Sequence, residues 1–129
     1  MDIKGKKAIV FGGTSGIGLA TCKELQARGA SVVAVSRNPN KVGKSIDGIR
    51  LAAVDARDSD AVSAFFESKE KIDILISSAT GGSRAFGPFL EMDIDGFKGS
   101  FDKLWGYSNI VRYGTAKLDD DGCIVLVRG

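Results

Sequence analysis

The 129-residue chain contains no histidine. That absence removes histidine-based catalytic triads and every histidine-containing zinc site from its repertoire. Cysteine is nearly as scarce: Cys22 and Cys123 lie far apart, each in an apolar pattern. Free, buried thiols in a reducing cytoplasm are therefore expected, and no metal-ligating set is assigned. Apolar runs are short, as at Val32–Val35 and Ile124–Val127, so neither a membrane-spanning helix nor a signal-peptide core is expected. Charge of one sign is also lacking. Eighteen basic residues face sixteen acidic ones, for a net charge of +2, and the signs are interspersed, which points away from nucleic acid and membrane partners. No repeat, linker or low-complexity segment interrupts the chain. At 13.6 kDa, 43% hydrophobic and 26% charged, it fits one domain with a real core, spanning 1–129.

Glycine is present where it carries chemistry. Lys7 to Gly18 reads KAIVFGGTSGIG. Ala8–Phe11 has the β-branched, apolar character of a strand buried on both faces. Gly12, Gly16 and Gly18 then lead into a helical pattern with Ile17, Ala20, Thr21 and Leu25 on one face. A strand that turns through glycines into a helix allows a tight turn and close backbone approach of a ligand. The helix N-terminus then offers free N–H groups and a positive dipole end to a pyrophosphate, and Thr14 and Ser15 add hydroxyls.

The remainder alternates in the same way. A first helix runs to about Arg28, with Gly29 at its end, and a second strand covers Ser31–Val35. Pro39–Ile46 is expected as a short helix, Ile49–Val54 as a third strand, Asp58–Lys69 as a helix and Ile72–Ile76 as a fourth strand. Residues 82–96 read as an irregular stretch. Gly99–Leu118 reads as one long helix burying Phe101, Leu104, Trp105, Ser108, Val111, Thr115 and Leu118, and Asp119–Gly122 as a turn before a fifth strand, Cys123–Val127. This β-α alternation predicts a Rossmann-type doubly wound parallel sheet of five strands, ordered 3-2-1-4-5, in three α/β/α layers.

The second strand ends at Ser36-Arg37-Asn38, the point that meets the adenosine ribose in dinucleotide-binding folds. No carboxylate stands there to accept from a free 2′-hydroxyl, and a guanidinium suits a 2′-phosphate. The chemistry favours NADP(H) over NAD(H).

The glycine loop resembles the T-G-x-x-x-G-I-G loop of the short-chain dehydrogenase/reductase family, with Phe11 in place of the threonine and Gly12, Gly16, Ile17 and Gly18 matching. The resemblance covers the whole chain and about half of a usual family member. It implies a cofactor site of Gly12, Thr14, Ser15, Gly16, Ile17, Gly18, Ser36, Arg37, Asn38, Asp55, Ala56, Ser78, Ala79 and Thr80, with Asp55 on the adenine amino group. The family's N-N-A-G motif is represented by Ser77-Ser78-Ala79-Thr80, and its relay asparagine by Lys103. The catalytic serine and Y-x-x-x-K motif are expected beyond Gly129. Tyr113 and Lys117 have that spacing but precede the fifth strand, which places them at the far edge of the sheet from the cofactor, so no catalytic residue is assigned. The implied activity is hydride transfer between a nicotinamide and a carbonyl or secondary alcohol. The alternatives are a non-catalytic dinucleotide-binding module and an inactive fragment. Self-association is expected, through the long helix or the last strand.

Overall fold

The computed structural model describes residues 1–38, 45–79 and 85–128. Six strands form one sheet: β1 (Lys7–Phe11), β2 (Ser31–Ser36), β3 (Ser45–Ile46), β4 (Ile49–Ala53), β5 (Ile72–Ser77) and β6 (Leu118–Leu126). Their order is β3-β4-β2-β1-β5-β6. The five long strands are parallel and stand in the expected sequence, with β1 at the centre between β2 and β5.

The sixth strand is an addition. Of the short helix expected at Pro39–Ile46, residues 39–44 lie outside the described residues, and Ser45–Ile46 pairs antiparallel with β4. Asp47 and Gly48 make the connection with φ of 48° and 85°. Two residues of positive φ give the tight hairpin turn that Asp-Gly favours.

Helix α1 (Gly16–Ala27) covers one face of the sheet, and α2 (Ser59–Glu67) with α4 (Asp102–Gly114) covers the other. Strand alternation divides the core accordingly. Ala8 and Val10 pack on the α1 side with Cys22 and Leu25; Ile9 and Phe11 pack on the other with Val62, Phe66 and Ile110. The buried stripe of α1 is Gly18, Cys22 and Leu25, rotated from the expected one, and Ile17 faces outward. Asp58 caps α2 by accepting from the Ala61 N–H at 3.1 Å, and Gly29 ends α1 with φ of 94°.

The segment after β5 departs most from expectation. A 3-10 turn at Phe89–Glu91 and a short helix α3 (Ile94–Gly99) occupy part of the stretch read as irregular. The single long helix is broken: α3 stops at Gly99, α4 begins at Asp102, and a 3-10 turn at Thr115–Lys117 leads into β6. The buried stripe of α4 is Gly106, Ile110 and Gly114, while Phe101, Leu104 and Trp105 stay exposed at 46%, 57% and 61%. Glycines win this face because the helix lies so close to the sheet that a Cβ at Gly114 would meet the Leu75 side chain and lie 3.0 Å from the Phe66 ring.

Asp119–Gly122 is not a turn outside the sheet but a bulge within β6. Ile72 pairs with Leu118 and Ile74 already with Cys123. As an edge strand, β6 leaves Cys123 exposed, correcting the buried thiol expected there; Cys22 alone is buried.

Candidate cofactor cleft

The C-terminal ends of β1, β2, β4 and β5 open onto one cleft of about 180 Å³. It lies where connections leave the central strand in opposite directions, the position at which doubly wound sheets bind ligands. Gly12, Thr14 and Ser15 line it from the loop after β1, Ser36 and Arg37 from β2, Asp55 and Ala56 from β4, and Ala79 from β5. Eight of the expected site residues thus share one wall-to-wall space. Gly16, Ile17, Gly18, Asn38 and Ser78 are outside its lining, and Thr80 lies outside the described residues.

Those outside the lining have definable roles or positions. Gly12 has φ of 75°, and a Cβ there would come within 2.7 Å of the Ala79 nitrogen. The loop is therefore pressed against the end of β5. Gly18 sits behind it, where a Cβ would collide with the Gly12 carbonyl and lie 2.5 Å from Ser78 Oγ. Ser78 Oγ donates toward the carbonyls of Phe11 and Gly12 at 3.3 and 3.4 Å. Gly18 and Ser78 thus shape the loop from behind. Gly16 differs: its φ is 52° and a Cβ would meet nothing within 4 Å. Its backbone is bare toward open space. Ser15 occupies the N-cap of α1 in extended conformation without a side-chain cap bond, so the first-turn N–H groups retain their donor capacity. Ile17 and Asn38 are exposed.

Asp55 is held by a neighbour that the sequence reading did not single out. Arg57 donates from Nε to Asp55 Oδ1 and from a terminal nitrogen to Oδ2, both at 3.1 Å. Its other terminal nitrogen reaches Asp102 Oδ2 at 3.0 Å, tying the loop after β4 to the start of α4. The guanidinium hydrogen bonds hold the Asp55 carboxyl below its ordinary pKa, and Arg37 adds a smaller electrostatic pull. Asp55 and Asp102 in turn raise Arg57. The D-x-R spacing was the available signal; the Asp102 end of the bridge had none, because it depends on where α4 begins. Asn109 was also missed. Its Nδ2 donates to the Ala56 carbonyl at 2.9 Å, which pins the same loop.

Lys103, Gly106 and Tyr107 bring α4 to the cleft. The Lys103 ammonium lies 5.5 Å from the Tyr107 ring centre, and the Tyr107 hydroxyl donates to the Val127 carbonyl. Burial raises the Tyr107 pKa. Ser36 Oγ and Ser77 Oγ are buried with no hydrogen-bond partner among the described residues. Tyr113 packs against the α2/α4 core and Lys117 precedes β6, so neither belongs to the cleft lining. No metal-holding cluster of acidic or cysteine side chains exists among the described residues, and no described helix is long and apolar enough to cross a membrane.

This cleft, built at the carboxyl ends of parallel strands around a glycine turn, belongs to a known class. The family model for short chain dehydrogenase matches residues 6–127, and the chain belongs to that family. Among curated relatives, L-xylulose reductase of Mesocricetus auratus is 33% identical over 98% of this chain and 54% of its own length. The 3-dehydrosphinganine reductase TSC10A of Arabidopsis thaliana is 37% identical over 59% of this chain and 26% of its own length. The chain spans about half the length or less of these relatives. Among solved structures, a small-chain dehydrogenase in complex with NADPH superposes with a TM-score of 0.80 at 28% identity, covering 98% of this chain and 52% of the other. A short chain dehydrogenase from Burkholderia cenocepacia in complex with NADP gives 0.85 at 25% identity, covering 98% and 54%.

Proposed function

We propose that this chain binds NADP(H) in preference to NAD(H) and forms the cofactor-binding part of an oxidoreductase acting on a carbonyl or secondary alcohol. The observation that carries the reading is the pairing of a bare glycine turn with Arg37. Gly16 and the uncapped N-terminus of α1 offer N–H groups to a pyrophosphate, and Arg37 stands exposed at the end of β2 with no carboxylate at its strand end. Asp55, which lines the same cleft, is engaged by Arg57. One of its lone pairs remains for an adenine amino group. The solved relatives in complex with NADPH and with NADP support this preference. The bound nicotinamide would supply or take the hydride. The chain's own residues bind and orient: the loop after β1 takes the phosphates, Ser36, Arg37 and Asn38 the ribose end, Asp55 and Ala56 the adenine, and Ser78, Ala79 and Thr80 the approach to the nicotinamide.

Among the described residues, the one tyrosine at the cleft, Tyr107, is committed to the Val127 carbonyl, and Tyr113 lies elsewhere. The 129-residue chain alone is accordingly a binder without turnover. The exposed Phe101, Leu104 and Trp105, with Val125 and Leu126 at the sheet edge, support self-association, and two free thiols suit a cytoplasmic setting. Calorimetry on Arg37→Ala tests the central claim. NADP(H) binding should weaken by about 1.5–3 kcal/mol, the scale of charge-assisted hydrogen bonds, with NAD(H) little changed. Equal weakening of both would refute the phosphate-reading role.

A further inference from the structure

The opposite end of the sheet carries a second concavity of about 390 Å³. It forms where α2 stops at Glu67 and residues 68–71 cross to β5, leaving the N-terminal ends of β1, β2 and β4 uncovered on the α2 face. Strand alternation decides what lines it. Ile9 and Phe11, Val33 and Val35, and Ala52 all pack on this face. Lys7, Ser31 and Arg50, each an even number of residues from these, share it. Register sets Lys7 opposite Ser31, and Arg50 opposite Val33, two residues further along β2. Two interstrand steps separate β1 from β4, about 10 Å, so Lys7 and Arg50 border the concavity from opposite sides. Lys69 and Lys71 complete the rim.

The lining has four cations and one carboxylate, Glu70. The lining therefore carries a net charge of +3. Little within the fold consumes it. Lys7 meets Glu70 at 3.2 Å with both side chains largely in solvent, a geometry of small energetic value. The Lys69 ammonium lies 4.8 Å from the Phe65 ring centre, Lys71 donates to the Leu118 carbonyl at 3.4 Å, and Arg50 reaches Ser31 Oγ at 3.5 Å. Among the described residues, no carboxylate forms an ion pair with Arg50, Lys69 or Lys71.

We propose that this groove is a second ligand site, for a small multivalent oxyanion bearing at least two phosphate or carboxylate groups. Lys7 and Arg50 stand on strands two steps apart, with Lys69 and Lys71 on the facing rim, so a ligand with several anionic groups meets more of these cations than a single group does. Ile9, Val33 and Ile72 are buried and form an apolar floor beneath the exposed charges. The site lies at the edge of the sheet opposite the cofactor cleft and does not depend on the assignment of that cleft.

Amide-resolved NMR titration of the chain at constant ionic strength tests this, with inorganic tripolyphosphate, citrate and orthophosphate as probes. Saturable shifts are expected at Lys7, Ser31, Arg50 and Lys69–Lys71, whatever happens at Thr14–Gly18. Orthophosphate should bind at least tenfold more weakly than the better multivalent probe, and the stronger of tripolyphosphate and citrate identifies the anionic group. The double variant Arg50→Ser, Lys69→Ser should lose at least tenfold at the groove while its remaining spectrum reports an intact fold. Shifts confined to the glycine loop, groove affinity unchanged in the double variant, or equal affinity for orthophosphate would each overturn the proposal.

Discussion

Two glycines of the same motif should fail in different ways when given a side chain. At Gly16 the backbone is left-handed, with φ of 52°, and a Cβ would meet nothing. The cost of Gly16→Ala is therefore conformational, about 1–2 kcal/mol for a non-glycine residue in that region, and on the proposed phosphate role of the loop the new methyl would stand in the ligand's approach. At Gly18 the backbone is ordinary, yet a Cβ would collide with the Gly12 carbonyl oxygen and lie 2.6 Å from its carbon and 2.5 Å from Ser78 Oγ. Two of those atoms are backbone of a loop already pressed onto Ala79, so relief requires moving the loop. Gly18→Ala should cost about 3 kcal/mol, the upper end for overpacking, a large share of a typical domain stability of roughly 5–15 kcal/mol. Urea unfolding followed by circular dichroism, with cofactor titration by calorimetry, separates the two. Gly16→Ala should keep most of its stability and lose dinucleotide affinity. Gly18→Ala should lose stability first. A Gly18→Ala protein with the wild-type urea midpoint but no cofactor binding would refute the packing argument and return Gly18 to the phosphate approach.

Helix α4 offers a similar contrast. Gly106→Ala, whose Cβ would sit 3.4 Å from that of Ala56, should gain up to about 1 kcal/mol of helix propensity, whereas Gly114→Ala should destabilise by about 1–3 kcal/mol against Leu75 and Phe66; thermal melts giving shifts of the same sign would contradict this. Because Arg57 lowers the folded pKa of Asp55 below its ordinary 3.8, the stabilisation it contributes is complete above that value and fades as pH falls through the folded pKa. Asp55→Asn should flatten that part of the acid-unfolding profile, and an unchanged profile would mean the pair contributes nothing. Thiol labelling should modify Cys123 rapidly in the native protein, while Cys22, buried with its pKa pushed up to about 11, should react only on unfolding.

The parallel core was legible because its strands are short apolar runs separated by helical patterns, and parallel pairing is set by β-α alternation more than by particular contacts. The glycine turn was legible for a related reason: its spacing encodes backbone geometry. What escaped reading depends on contacts between distant segments. The stripe Phe101–Leu104–Trp105 has better apolar periodicity than Gly106–Ile110–Gly114, yet the glycines are buried because they permit close approach. Periodicity rewards large side chains and cannot register a helix that packs through missing ones. The β3–β4 hairpin is signalled by Asp47-Gly48, whose turn chemistry is specific, but the pattern of Pro39–Ile46 beside it reads as helical. The Arg57 bridge to Asp102 spans 45 positions and no local rule forecasts it.

The position of β1 at the centre of the sheet bears on how the molecule assembles during synthesis. Strand β2 pairs with β1 through a short crossover, with Phe11 opposite Val35, whereas β5 places Ser77 opposite the same Phe11. Loop-closure entropy alone makes the second pairing costlier by about 1 kcal/mol. A nascent chain can therefore form β1-α1-β2 early while one apolar edge of β1 waits for a strand still inside the ribosome. The glycine turn waits with it. Although its sequence is complete by Gly18, its shape depends on close contact with Ser78 and Ala79 at the end of β5. The final shape of the glycine turn thus depends on residues translated some sixty positions after it.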